Sequence, residues 1–468
     1  MKAKHFVQEN LTSITEDICK LVSINTVNDT ARPGKPFGDG IDKGLKFLLK
    51  IGKELGFDTN NFDGYVGEIS IGSGNETIGI LGHVDVVEGG DGWKTDPFQA
   101  TVISETIYGR GTVDDKGPLI CSLYAMKYLK EQGMIPSNKK IKMIIGTDEE
   151  RTWQGINYYK ERSNDIPKSS IVVDGNFPII YCEKGLIDFN LHYKRKKTDK
   201  EKIFINYLKG GTGRNVVPAE AECELSWDDL NESDVNKILE FLCGEDIFTE
   251  RRSKDKLYLK VKGIATHAVN PEKGKNALSE LLQILKNLSE YIGFTANAFI
   301  EDYNRAIGSS CHGELLGLEM EDKESGKLTF NVGRVSMKSK EIMLECNIRY
   351  PATCAYQNIC EQMKQELNIL NFEYEEVDHL LPIFLEQNDT IVKELMRAYQ
   401  EVTNDFNTPP LAIGGATYAR ALEHAVAFGP IFPGQEDLTH EANENISISD
   451  VEVITEIYIE GLLRLLEQ

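Results

Sequence analysis

The strongest constraint in this sequence is a change of texture that happens twice. Up to about residue 183, capped apolar-periodic segments (Thr12 to Val22, and Ile41 to Leu55 closed by Gly56) alternate with short apolar strands. From 186 to 380 the pattern changes to alternating strands, Ile187 to Tyr193, Ile203 to Leu208, Ala221 to Trp227, Leu257 to Val261, Leu328 to Arg334 and Glu341 to Arg349, with helices such as Asn276 to Tyr291 between them. After Pro382 the first texture returns: helix Thr390 to Val402, strand Ala425 to Phe428, and an amphipathic helix, Val451 to Leu466, capped by Asp450. A chain that resumes an earlier pattern predicts one α/β domain from 1–185 and 381–468, split by an inserted α+β domain over 186–380.

Length agrees, since 468 residues is enough for two or three domains with cores of their own. Lys and Arg number 52 against 74 Asp and Glu, a formal charge of −22, and such a surface repels phosphate and anionic lipid. Nucleic acid and membrane are therefore not expected partners. The basic run KRKKTDKEK at 194–202 reads as a solvated turn. No stretch approaches the roughly 18 apolar residues of a membrane span, and the first twenty residues carry acids where a secretory core would be apolar. The nine cysteines are scattered without a CxxC pair, as expected of reduced thiols in the cytoplasm.

Three of the early strands share one property. Thr77 to Leu81 runs into His83 and Asp85, Ile141 to Ile145 into Asp148, Glu149 and Glu150, and Ile171 to Val173 into Asp174. In open α/β sheets ligands sit at the carboxyl ends of strands. Any one of these acids could simply cap a turn; three at one edge point to a site. In GHVDVV, His83 and Asp85 are two apart on extended chain and share a face, so the carboxylate can orient the imidazole through its second nitrogen. YGRGTVDDKGP delivers Asp114 and Asp115 just before a helix starting near Pro118 and ending before Gly133. It lacks GxxxxGK[ST] and is too acidic to cradle phosphate. In GTDEE, adjacent carboxylates at a strand end project differently and can divide metal ligation from proton transfer.

With the late His440 of LTHEANE, the residues His83, Asp114, Glu150 and Asp174 make two imidazoles and three carboxylates, a set suited to two divalent cations. Here the sequence resembles the M20 metallopeptidase family, and within it the PepV-like dipeptidases of Xaa-His or carnosinase type. The resemblance runs through GHVDVV, GWKTDPF, YGRGTVDDKGP, GTDEE, VVDGNFPI, AIGGATYAR and HEANE, from residue 80 to 445 in family order. It implies a catalytic α/β domain with a mixed sheet and an inserted lid of two ferredoxin-like halves. It also implies that Asp114 bridges two metals, that His83 and Asp174 complete one site, and that Glu150 and His440 complete the other. Glu149 would be general base and Asp85 the carboxylate behind His83. The register at Asp114 rests on the family's D-x-K-G, with Lys116 and Gly117 as anchors, and a cis bond to Asp115 is implied. Asn215, His267 and Arg349 of the lid would meet the substrate's carboxylate and developing oxyanion, and Gly414 and Gly415 would supply backbone at the back of the pocket. Histidines 5, 192, 312, 379 and 424 are assigned structural places.

The function implied is a dipeptidase for substrates with a free amino terminus, loaded with two Zn²⁺ or Mn²⁺ ions, with Co²⁺ also acceptable to such ligands. An insert of this size is that of single-chain PepV-like enzymes, so a monomer is expected. The alternatives are an M20 N-acyl amino-acid deacylase of desuccinylase or deacetylase type, sharing the same metal centre, and a metal-binding relative without catalysis. Retention of Glu149 argues against the last.

Overall fold

The computed structural model describes residues 2–194, 202–228, 230–293, 297–338 and 341–468, so most of the basic run at 194–202 lies outside the described residues. The chain forms two compact units: 1–181, 385–412 and 416–468 make the first, and 182–384 with 413–415 the second. The boundaries expected at 185/186 and 380/381 fall a few residues from these divisions, and the segment holding Gly414 and Gly415 groups with the insert.

The first unit is built on a mixed sheet. Its strands lie in the order Asp58–Phe62, Val66–Gly72, Lys139–Gly146, Glu76–His83, Ser169–Val172, Ala425–Ala427, Ile180–Glu183. The four in the middle run parallel, and the pairs outside them are antiparallel. Consecutive residues are buried along the parallel strands (Ile80 and Leu81; Ile141, Met143, Ile144 and Ile145; Ile171, Val172 and Val173), so both faces are covered. Each such side chain contributes about 1.5–3 kcal/mol by leaving water. The helix Lys116–Glu131 is apolar nearly all round and packs against Ala3–Val22 and Ile448–Leu466. Register aligns His83 with Gly146 and Leu81 with Val172, which brings three carboxyl ends to one edge.

Two helix boundaries differ from expectation. The first helix begins at Ala3, well before Thr12, because Phe6 and Val7 are buried and extend its apolar stripe without a side-chain cap. The last begins at Ile448: Ser447 is the cap, its Oγ accepting the Asp450 amide at 2.9 Å, so Asp450 lies inside the first turn.

The second unit carries an eight-stranded antiparallel sheet in the order Ile247–Ser253, Lys256–Lys262, Glu220–Trp227, Ile203–Gly211, Thr329–Lys338, Glu341–Tyr350, Gly185–Lys194, Phe372–Leu380. Burial alternates along Gly185–Lys194, with Ile187, Phe189, Leu191 and Tyr193 on the core face. Gly185–Lys194, helix Ala298–Ala306, Thr329–Lys338, Glu341–Tyr350, helix Tyr356–Ile369 and Phe372–Leu380 form a β-α-β-β-α-β unit with the ferredoxin-like strand order. The span 203–292 forms a second half with the same spatial order, but its chain begins at what is the second strand of the first half. It is a circular permutation inserted after the other half's first strand. Lys209 opposite Ser336 joins the two halves into one sheet.

Candidate metal centre

His83 ends its strand fully buried. Its Nε2 lies 2.9 Å from Asp114 Oδ1 and 3.6 Å from Asp174 Oδ2. Its Nδ1 is 3.0 Å from the backbone oxygen of Asp85 and 3.5 Å from the Asp85 carboxylate. That carboxylate, expected to orient the imidazole, also accepts two backbone amides: Oδ1 that of Glu149 at 3.2 Å and Oδ2 that of Glu150 at 3.1 Å. The turn after Lys139–Gly146 aims two N–H groups at one buried anion, and Asp85 thereby fixes the backbone of both glutamates.

The turn of residues 109–114 is equally determined. Gly111 has φ +93°, and a Cβ there would stand 2.9 Å from the Lys116 side chain. The peptide bond between Asp114 and Asp115 is cis. The two aspartates then part: Asp115 turns inward, its Oδ2 accepting the His83 amide at 3.0 Å, while Asp114 faces imidazoles on both sides. His440 Nε2 lies 3.0 Å from Asp114 Oδ2 and 3.0 Å from Glu150 Oε1. All five residues expected as ligands thus converge, and Glu149 joins them, with an oxygen within 4.8 Å of ligand atoms of His83 and Asp174. Among the described residues no group donates a hydrogen bond to the Glu149 carboxylate. Its backbone oxygen accepts Trp153 Nε1 at 2.7 Å.

Protonation equilibria carry the mark of crowded acid. Burial pushes the Glu149 carboxyl well above its usual range, against the pull of His83. Burial and the Asp114 charge raise Asp174, and burial raises Glu150 against its contact with His440. Burial would raise Asp114 as well, but the imidazoles of His440 and His83 beside it outweigh that and hold the carboxyl below the usual range. The carboxylates of Asp114 and Glu150 push His440 up to about 11.

The donors fit divalent cations. His83 Nε2 and Asp114 Oδ1 are buried and close together, yet neither has a partner in hydrogen-bonding alignment, as when two lone pairs aim at one point. Four carboxylates against two imidazoles is an excess of buried acid that cations would neutralise. The set holds no thiol, and the nine cysteines are all free.

The expected lid residues belong to the second unit. Arg349 is buried, its Nη1 donating to the Gly414 carbonyl at 2.6 Å and its Nε to Asn347 Oδ1 at 3.2 Å. Asn215 and His267 are exposed neighbours: the Asn215 carbonyl accepts the Ala268 amide at 2.8 Å, and His267 Nδ1 accepts the Val269 amide at 3.3 Å. Partial burial lowers the His267 imidazole, and the Arg349 charge adds to it. A Cβ on Gly414 would meet Val269 at 2.7 Å, which ties that turn to the His267 segment; Gly415 follows in the same turn. Histidines 192, 312, 379 and 424 are engaged with Glu341 and Glu375, the Leu328 carbonyl, the Tyr350 hydroxyl and Asp389 respectively, and His5 with Glu9.

Sequence reasoning gave Glu444 no role in this centre, and named Asp115 and Lys116 only as neighbours of Asp114 in its motif. Glu444, in the quoted HEANE, is fully buried against the Asp114 turn. Asp115 and Lys116 are also buried, and the Lys116 ammonium donates to the Ile24 carbonyl at 2.8 Å. Burial lowers that ammonium to about 7, against the pull of Glu444 and Asp85. Only their place inside quoted motifs could have flagged them.

Comparison with known proteins decides the family. Residues 79–464 match the profile described as peptidase family M20/M25/M40. The chain belongs to that family. This M20-family peptidase is 35% identical over 457 residues to YtjP of Bacillus subtilis (strain 168), which carries the provisional name of a dipeptidase, covering 97% of each chain. Among solved structures, human carnosine dipeptidase 1 aligns with a TM-score of 0.56 at 16% identity over 100% of this chain and 99% of its own. The dipeptidase Dug1p of Saccharomyces cerevisiae aligns with a TM-score of 0.57 at 14% identity over 100% and 98%. At those identities the two structures speak for the fold: a mixed α/β domain with an inserted α+β domain. The family binds divalent metals, and the His, Asp and Glu groups described above are where this peptidase could hold them. No helix among the described residues is long and apolar enough to cross a membrane.

Proposed function

We propose that this M20-family peptidase is a dipeptidase for substrates with a free amino terminus, using two divalent cations, Zn²⁺ or Mn²⁺, with Co²⁺ able to replace them. The observation that carries the reading is Asp114, which turns one carboxylate oxygen toward His83 and the other toward His440. His83, Asp174 and Asp114 would hold one cation, and Asp114, Glu150 and His440 the other. When bound, such a pair lowers the pKa of water and polarises a carbonyl.

The remaining chemistry belongs to the chain. Glu149, whose carboxylate no described donor engages, takes the proton of the attacking water and returns it to the leaving amine. Burial, opposed by His83, raises its pKa, the direction that helps a carboxylate accept a proton. Asp85 holds Glu149 and Glu150 in register through their amides. Asn215, His267 and Arg349, with the backbone of Gly414 and Gly415, bind the substrate carboxylate and stabilise the oxyanion. The enzyme works as a monomer in the cytoplasm on small peptides.

A panel of unblocked dipeptides, including β-Ala-His, and of N-acyl amino acids, run on metal-stripped protein reconstituted with one cation at a time, tests this. Turnover of the dipeptides is expected. Cleavage of N-acyl amino acids with the dipeptides untouched would make the protein a deacylase.

A further inference from the structure

Asp114 and His440 come from distant parts of the chain, and the residue that ties them together is neither. Glu444 is fully buried four positions beyond His440. Its Oε1 accepts the amides of Val113 at 2.8 Å, Gly111 at 3.0 Å and Asp114 at 3.2 Å, and its Oε2 accepts Arg110 Nη1 at 2.8 Å. The Glu444 carbonyl accepts the Gly109 amide at 3.0 Å, and Asn445–Ser447 pairs with Thr106–Tyr108 directly behind it. Arg110 is buried as well, donating to the carbonyls of Glu88 and Gly89 and lying 5.3 Å from the Trp93 ring.

The loop before Glu444 needs such an anchor. His440 and Asn443 hold left-handed conformations, φ 64° and 68°, which cost free energy in residues other than glycine and persist only where the surroundings impose them. Asn443 is pinned by the Lys94 amide, which donates to its Oδ1 at 2.8 Å. From Asn443 back to His440 the chain leaves this anchored base and delivers the imidazole to Asp114.

We propose that Glu444 is the positioning residue of the metal pair: one buried carboxylate, bonded to the amides of the Asp114 turn and covalently four residues from His440, sets the spacing between the bridging carboxylate and the second imidazole. The inference rests on the dinuclear reading above. A carboxylate suits the task because it accepts from several donors at once. Glutamine of the same shape would turn either its NH₂ toward three N–H groups or its NH₂ toward the Arg110 guanidinium. Loss of a partner that orients metal ligands costs roughly 10–100-fold in metal affinity.

The test uses full-length metal-stripped protein titrated with Co²⁺, read by calorimetry and by the visible ligand-field spectrum, with the melting temperature of the metal-free protein measured alongside. Glu444→Gln is expected to melt within a few degrees of wild type when metal-free, to bind Co²⁺ roughly 10–100-fold more weakly, and to show an altered spectrum. Glu444→Asp keeps the charge against Arg110 but withdraws the carboxylate from the amides, and is expected to do the same. Two Co²⁺ bound by both variants with wild-type affinity and spectrum would overturn the proposal. So would collapse of both variants in the metal-free state, which would make Glu444 a support of the fold at large. Wild-type protein that binds no Co²⁺ would instead sink the dinuclear reading itself.

Discussion

His440 Nε2 lies 3.0 Å from Asp114 Oδ2, at the other side of the carboxylate whose Oδ1 faces His83. The contact joins a loop near the end of the chain to a turn in its first third, and the reading of two cations depends on it. His440→Ala is expected to reduce bound metal from two ions to one per chain and to lower kcat/KM by more than the roughly 100-fold that losing an outer partner can cost. Elemental analysis of the dialysed variant, beside its kinetics, checks this; two ions retained would remove His440 from the ligand set.

Glu149 is expected to separate chemistry from binding. Glu149→Ala should keep both metal ions and lose roughly 10²–10⁴-fold in kcat, the usual share of a positioned proton carrier. Activity close to wild type would disqualify it as general base.

Asp85 offers a subtler test, because its carboxylate grips the amides of both glutamates. Asp85→Asn leaves one amide facing an NH₂ group, and the Glu149–Glu150 backbone should loosen. Roughly 10–100-fold lower activity at saturating metal is expected; an unchanged kcat would show that the turn holds itself.

Metal removal should destabilise the first unit. Its centre crowds Asp114, Asp174, Glu149 and Glu150 together, and cations that bind only the folded chain stabilise it by about 2.7 kcal/mol at a hundred times their Kd. Thermal melts with chelator and with graded Mn²⁺ should show a transition that climbs with metal concentration. A melt indifferent to metal would contradict this.

Away from the centre, Asp405 makes a pH-dependent brace after helix Thr390–Thr403. It accepts the hydroxyl and amide of Thr408, the Asn407 amide at 3.0 Å and the Tyr399 hydroxyl at 2.9 Å. These bonds, that from the Thr408 hydroxyl first, lower its carboxyl from 3.8 to about 2. A folded-state pKa below the unfolded one stabilises the protein above the unfolded value, and the contribution fades as pH falls from about 4 toward 2. Asp405→Asn should therefore lower the urea midpoint at pH 7 and 5, with the gap from wild type closing below pH 4. A gap independent of pH would mean the carboxylate charge is not what matters.

Much of the centre was legible because it is local. Strand periodicity located the carboxyl ends bearing His83, Glu149, Glu150 and Asp174, and motif resemblance supplied Asp114 and His440. What stayed hidden was every role settled by partners from elsewhere in the chain. Spacing set Asp85 beside His83 on one strand face, but nothing in it showed that the same carboxylate also accepts two amides from another strand's turn. Glu444 looked like any acid after a histidine, since its amide donors sit in a turn far back in the sequence. The first helix began earlier than its cap signal because tertiary burial of Phe6 and Val7 replaced a side-chain cap.

By itself the sequence determined the split α/β domain, the inserted α+β unit and the chemical types delivered to the sheet edge. Those follow from apolar periodicity and from the residues that terminate strands, both properties of neighbours along the chain. The tertiary structure alone decided which oxygen of Asp114 meets which imidazole, that Asp115 turns away, and that the insert's second half is a circular permutation of its first. Such choices depend on strand order and on hydrogen bonds closed across hundreds of residues, where spacing along the chain carries no information about distance in space.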